Sequence, residues 1–213
     1  MSSLEVSKRS KMKIAWGITG AGDRLEECVK LMKSLADKYR DRVEVYAYIS
    51  KSGVVVLRHY RLLDYVRSNF KTFTEISANE PFLAGQLQKG EFEFLLIMPA
   101  TSNTVAKLAV GIADTLLTNA AISAVKAFKP VYIFPTDREE GLITTKLPNG
   151  KELVLRVRKE DAENVRKLRE MEGFYVLNDP REVESVIEKH LEDINRRTLK
   201  DLRRGQPTSQ QKL

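Results

Sequence analysis

The hydrophobic pattern of the chain alternates between short apolar runs and amphipathic stretches. Met12–Ile18, Val43–Ile49, the run from Phe92 or Phe94 to Met98, Val131–Phe134 and Phe174–Leu177 are short, apolar and bounded by turn residues. Their brevity and β-branched content predict strands buried in a sheet. Between them the apolar residues recur at helical spacing, which predicts helices over about 25–39, 54–63, 105–110, 114–126, 160–171 and from Asp179-Pro180 to about Ile194. Pro99 cannot donate to a ladder, so the strand ahead of it is expected to stop there. The stretch 65–89 has no clear period, and a loop with one short helix is expected. Leu142–Leu147 and Leu153–Val157 flank Pro148-Asn149-Gly150-Lys151, whose Asn-Gly pair predicts a β-hairpin. Strands alternating with helices imply a three-layer α/β fold with a mainly parallel sheet, and the hairpin is an addition to it.

Two loops carry candidate chemistry. Thr19-Gly20-Ala21-Gly22-Asp23 follows the first strand, where glycines let a ligand approach the backbone and the next helix offers its N–H groups. It has neither the full dinucleotide fingerprint nor a P-loop lysine. Thr101-Ser102-Asn103-Thr104 follows the fourth strand and supplies hydroxyl and amide groups at a helix mouth. Ser102 or Asn103 either contacts a ligand or merely caps the helix, and Asp114 is open to the same two readings. Both loops are expected at the carboxyl ends of parallel strands, where open α/β sheets bind ligands. The helix at 113–127 is apolar all round and must be buried in the core or against another subunit.

Composition narrows the class. The chain has 213 residues, 42% of them hydrophobic, enough for one well-buried domain spanning about 12–194. Residues 1–11 and 195–213 are polar and basic, and are expected to be a disordered N-terminus and a mobile tail. The one cysteine, Cys28, excludes an internal disulfide and a cysteine-ligated cluster within one chain. No secretory signal or membrane span is visible, so the cytoplasm is the expected location. The net charge of +7 comes without a nucleic-acid recognition motif. It suits a solvated surface or a docking face for an acidic partner such as a ferredoxin.

Pro99-Ala100-Thr101-Ser102-Asn103-Thr104 with Lys107, followed by Gly111-Ile112-Ala113-Asp114, resembles the P-A-S-A-N-T…K…G…D signature of the homo-oligomeric flavin-containing cysteine decarboxylase superfamily. With Trp16-Gly17-Ile18-Thr19-Gly20-Ala21-Gly22-Asp23, the chain is most similar to its archaeoflavoprotein and flavin-dependent dihydromethanopterin reductase branch. The resemblance implies a flavodoxin-like (Rossmann-like) fold and FMN as cofactor. The contacts it implies are Thr19, Gly20, Ala21, Gly22, Ser50, Lys51, Thr101, Ser102, Asn103, Thr104 and Asp114. The decarboxylases in this superfamily use a histidine shortly before the signature strand and a P-x-M-N clamp after the next one. Here 78–93 holds no histidine and the clamp position reads Pro135-Thr136-Asp137. His59 and His190 are expected at the surface. Asn119 stands where the prenyl-flavin synthases would have an arginine. Decarboxylation and prenyl transfer are thus disfavoured, and the catalytic residues stay unassigned. Redox work remains: an FMN protein taking electrons from an iron–sulfur partner, a pterin reductase, or a flavin-binding protein without turnover. The resemblance also implies a homo-oligomer, dimeric or trimer-based, whose neighbouring subunit completes the pocket.

Overall fold

A computed structural model of the chain describes residues 11–204, with side chains through Leu199. It forms two compact units, one ending at Pro180 and one beginning at Arg181. In the first, β1 (Met12–Ile18) and β2 (Val43–Ile49) pair in parallel over their full length. β3 (Lys71–Thr74), β4 (Phe94–Ala100), β5 (Val131–Pro135) and β8 (Phe174–Val176) complete a six-stranded parallel sheet in the order β3-β2-β1-β4-β5-β8. β6 (Gly141–Lys146) and β7 (Glu152–Val157) form a separate antiparallel hairpin. This is the expected three-layer flavodoxin-like α/β fold with an added hairpin.

The sheet is buried on both faces, which is why its strands read as continuous apolar runs. Ala15, Leu95, Ile97 and Ile133 pack under α4 (Leu83–Gln88), α5 (Ser102–Ala109), α6 (Leu116–Lys126) and α7 (Lys159–Glu170). Helix α1 (Leu25–Lys38) presents Leu25, Cys28, Val29, Met32 and Leu35 as its buried stripe. Burial also pushes the Cys28 thiol well above its usual range, so it packs as an inert apolar group.

Several boundaries differ from the sequence reading, each for a local reason. The expected helix at 54–63 becomes α2 (Lys51–His59) and α3 (Leu63–Asn69). Ser50 starts α2 early by accepting the Gly53 N–H at 2.9 Å, and Arg61 breaks the run at φ 56°. Lys71–Thr74 is an edge strand hidden in the aperiodic stretch, and its Phe73 stacks on Tyr48 with centroids 5.0 Å apart. The fourth strand runs past Pro99 to Ala100, with an irregular register between Ile97 and Ala100. The last helix, α8 (Glu182–Arg204), continues beyond Ile194, so residues 195–204 of the expected mobile tail are helical. The rest of that tail, and nearly all of the expected disordered N-terminus, lies outside the described residues.

Helix α6 finds its cover inside the subunit. Leu116, Leu117, Ala120, Ala121 and Ala124 join the cluster that holds Leu83 and Leu87 of α4. Gly17 lets α6 sit directly on β1, since a Cβ there would come within 2.8 Å of Leu117 Cδ2. The apolar character of this helix therefore does not require a neighbouring subunit.

One buried carboxylate ties this helix to another. Glu75 accepts the Lys51 N–H at 2.9 Å and the Leu116 N–H at 2.8 Å, the first amides of α2 and α6. Two positive helix ends thus share one negative group, which also satisfies amides that no helix can pair internally. Glu75→Ala is expected to cost about 2–4 kcal/mol by orphaning both amides. Glu75→Gln, which keeps one acceptor oxygen, should cost less than half of that. Urea midpoints measured at unchanged m-value check the ranking.

Candidate functional site

The sheet order reverses direction between β1 and β4. Crevices at such a switch point, beyond the carboxyl ends of the strands, are where doubly wound sheets bind ligands. Both sequence loops meet there, joined by one side chain. Thr19, buried at the end of β1, donates its hydroxyl to the Pro99 carbonyl at 2.8 Å and accepts the Thr101 N–H at 3.0 Å. Trp16 Nε1 donates to the neighbouring Met98 carbonyl at 2.7 Å. Where Pro99 interrupts the ladder, side chains of β1 thus take up the exposed carbonyls of β4.

The glycine turn that follows is pressed between two helix N-termini. Gly20 lies against the first turn of α2, where an added Cβ would be 2.8 Å from Ser52 Cβ. Ala21 and Gly22 line a cavity of about 290 Å³ together with Thr101 and Ser102 at the head of α5. The inner face of the hairpin borders it: Ile143, Thr145, Leu147, Leu153 and Leu155 line the opposite wall, as the two-residue period of paired strands dictates. The hairpin turns at Asn149-Gly150, with Gly150 at φ 81°. Tyr60, from the end of α2, reaches the hairpin through a hydroxyl donated to the Lys146 carbonyl at 3.2 Å.

The predicted residues divide by role. Thr101, not Ser102 or Asn103, caps α5, accepting the Thr104 N–H at 3.2 Å and sharing a 3.0 Å hydroxyl contact with Thr104. Ser102 and Asn103 occupy the first turn, whose amides lie outside the helical ladder. Ser50 caps α2, and the Lys51 side chain is exposed. Asp114 caps nothing: Thr115 caps α6, and Asp114 forms an ion pair with Lys107 at 2.8 Å that holds its carboxyl below the usual range. His59 is exposed, whereas His190 is buried, contrary to expectation. Asn119 donates to the Ala78 carbonyl at 3.0 Å and to Asn79 at 2.9 Å, so it serves the 78–79 turn.

The sequence reading noted Asp137 only for the clamp residues it replaces. It stands just beyond β5, half-buried, and lines the cavity beside Ser102 and Thr136. Burial, then the nearby Asp161 and Asp23 carboxylates, push its carboxyl up, against hydrogen bonds from Ser102 and Thr136 that oppose the shift. Arg158 is committed to Asp161 at 2.6 Å and forms no ion pair with Asp137. The site is thus polarised. Two helix N-termini and backbone amides at the glycine turn suit a phosphate, while Asp137 at the β5 end of the same cavity suits a hydrogen-bond donor. Hydroxyls, close backbone approach and an apolar wall fit a flat ring carrying a phosphate. Among the described residues no group of three or more His, Cys, Asp or Glu could hold a metal ion, and no helix is long and apolar enough to cross a membrane.

A doubly wound sheet with a glycine turn and a capped hydroxyl loop at its switch point defines a nucleotide-type ligand-binding protein. The chain belongs to the Flavoprotein family, whose model matches residues 2–202. An uncharacterized protein of Methanocaldococcus jannaschii is 49% identical over 85% of this chain and 97% of its own length. A dihydromethanopterin reductase (acceptor) of the same organism is 34% identical over 81% of this chain and 94% of its own. Among solved structures, Burkholderia xenovorans DmrB in complex with FMN, described as a cubic protein cage for redox transfer, superposes with a TM-score of 0.74 at 31% identity. It matches 88% of this chain and 99% of DmrB.

Thr19→Val is expected to orphan the Thr101 amide and leave the Pro99 carbonyl only the long Thr19 backbone N–H contact at 3.4 Å. The cost should be about 1–3 kcal/mol, and Thr19→Ser should recover most of the loss. Denaturant titration of both variants checks it. Asp137 gives a pH signature of the opposite kind to a salt-bridged carboxylate. Its folded pKa is raised, so below the unfolded value both states are protonated and nothing is lost, and the penalty grows as pH rises through the folded value. Asp137→Asn should therefore raise the melting temperature by about 1–2 °C at pH 7 and leave it unchanged near pH 3. Scanning calorimetry at the two pH values tests the sign.

Proposed function

We propose that this protein is an FMN-dependent oxidoreductase that reduces a dihydropterin. The observation that carries the reading is the crevice at the switch point, whose cavity runs from a phosphate-suited glycine turn to Asp137 and an apolar hairpin wall. The similarity to a dihydromethanopterin reductase and to FMN-bound DmrB supports it. FMN would be held by Gly20, Ala21 and Gly22, whose backbone a phosphate can approach, by Ser50 at the neighbouring helix, and by Thr101, Ser102, Asn103 and Thr104. When bound, FMN supplies hydride and electron transfer. The chain fixes the crevice geometry through Thr19, offers a ring the apolar hairpin face, and presents Asp137 as a hydrogen-bond acceptor. Lys51 is a further candidate for the phosphate through its exposed ammonium.

The net charge of +7 favours a second reading, in which an acidic iron–sulfur protein such as a ferredoxin delivers the electrons. Self-association belongs to the proposal as well, supported by the cage described for DmrB rather than by the helix α6.

Reconstitution tests the cofactor. The chain should take up FMN with a stable visible spectrum, and Gly20→Val should weaken uptake by at least about tenfold, because its side chain would be driven into Ser52. Anaerobic mixing of the reduced protein with a dihydropterin should reoxidise the flavin. A protein that takes up no FMN would end the proposal. Flavin reduced by ferredoxin but not reoxidised by pterin would leave the electron-carrier reading in its place.

A further inference from the structure

The cavity asks for a particular hydrogen-bonding edge. Its polar floor at the β5 end is a carboxylate, Asp137, which the Thr136 hydroxyl approaches at 3.4 Å and which forms an ion pair with no described residue. Asp161 and Asp23 act on it electrostatically against the pull of the Arg158 guanidinium. Burial is the larger cost to its charge, which a donor relieves and an acceptor does not. Opposite stand Ile143, Leu153 and Leu155 of the hairpin, an apolar wall suited to a flat ring. A ligand there must be planar and must offer N–H donors, because donors relieve a partly desolvated carboxylate and acceptors do not.

The pyrimidine edge of a flavin does not meet that demand. It presents one N–H between two carbonyl oxygens, so a carboxylate facing it gains one hydrogen bond against two like-polarity contacts. A 2-amino-4-oxopteridine offers an amino group and a ring N–H side by side, spaced to match the two oxygens of one carboxylate. The cavity runs from Ala21, Gly22, Thr101 and Ser102, assigned above to FMN, to Asp137 and the hairpin, so a pteridine would take its hairpin end beside the flavin. We infer that Asp137 is the specificity-determining residue for the substrate, accepting the 2-amino group and adjacent N–H of a pteridine ring held against the hairpin. The inference rests on the pterin reading above and assigns its recognition to one side chain.

The test is binding by the FMN-loaded full chain, read as quenching of 6-methylpterin fluorescence, with FMN absorbance recording that the protein is folded and loaded. The unaltered protein should bind 6-methylpterin at least about tenfold more tightly than 6-methyllumazine, in which an oxygen replaces the 2-amino group. Asp137→Asn replaces one acceptor oxygen with a donor, and should weaken pterin binding about tenfold or more and abolish the preference. Equal affinity of pterin for the unaltered and Asn forms overturns the assignment while leaving the pterin reading intact. Loaded protein that binds neither ring overturns both. If Asp137→Asn does not load FMN, the lumazine comparison on the unaltered protein decides alone, and equal affinity for the two rings overturns the assignment.

Discussion

The hydroxyl of Thr19 is the point on which the site depends. A proline in a central strand interrupts a ladder, and in a buried sheet the carbonyls beside the irregular register at 97–100 cannot turn to water. Here Trp16 and Thr19, both from the adjacent strand, satisfy the Met98 and Pro99 carbonyls. Because the same Thr19 oxygen accepts the Thr101 amide, the repair also locks the glycine turn to the head of α5. The two ligand loops are therefore held to each other by a group that solvates a defect, and their spacing is set before any ligand arrives.

The helix ends around this crevice are managed by other short polar groups. Ser50, Thr101 and Thr115 cap three helices with their own hydroxyls. Glu75 joins the first amides of α2 and α6 across the carboxyl edge of the sheet. These bonds fix the directions in which Ser50 and Thr101 present their hydroxyls, while the glycine backbone and the first-turn amides of α5 stay outside the helical ladders.

Charge divides the crevice further. Asp137 and Asp161 make the β5 end of the crevice a poorer place for phosphate than the helix ends and a better place for a donor. Binding a phosphate-bearing cofactor and a donor-edged ring side by side calls for such a division.

Much of this was determined by the sequence alone. Five strands, the hairpin with its Asn-Gly turn and the two ligand loops were legible, because burial on both faces, a two-residue period and turn chemistry are local properties. The strand at Lys71–Thr74 was not, since an edge strand only four residues long with alternating exposure carries little periodic signal. Nor was the continuation of β4 through Pro99, which depends on partners some 80 residues away in the chain. The roles of Thr101 and Thr115 as caps, with Asp114 paired to Lys107, follow from where the chain turns in space rather than from residue type. The burial of α6 was predictable, but only the tertiary structure could say that α4 provides the cover. Glu75 and Asp137 stand furthest from legibility: a carboxylate in a sequence gives no sign of which amides, carboxylates or apolar walls the fold will bring against it.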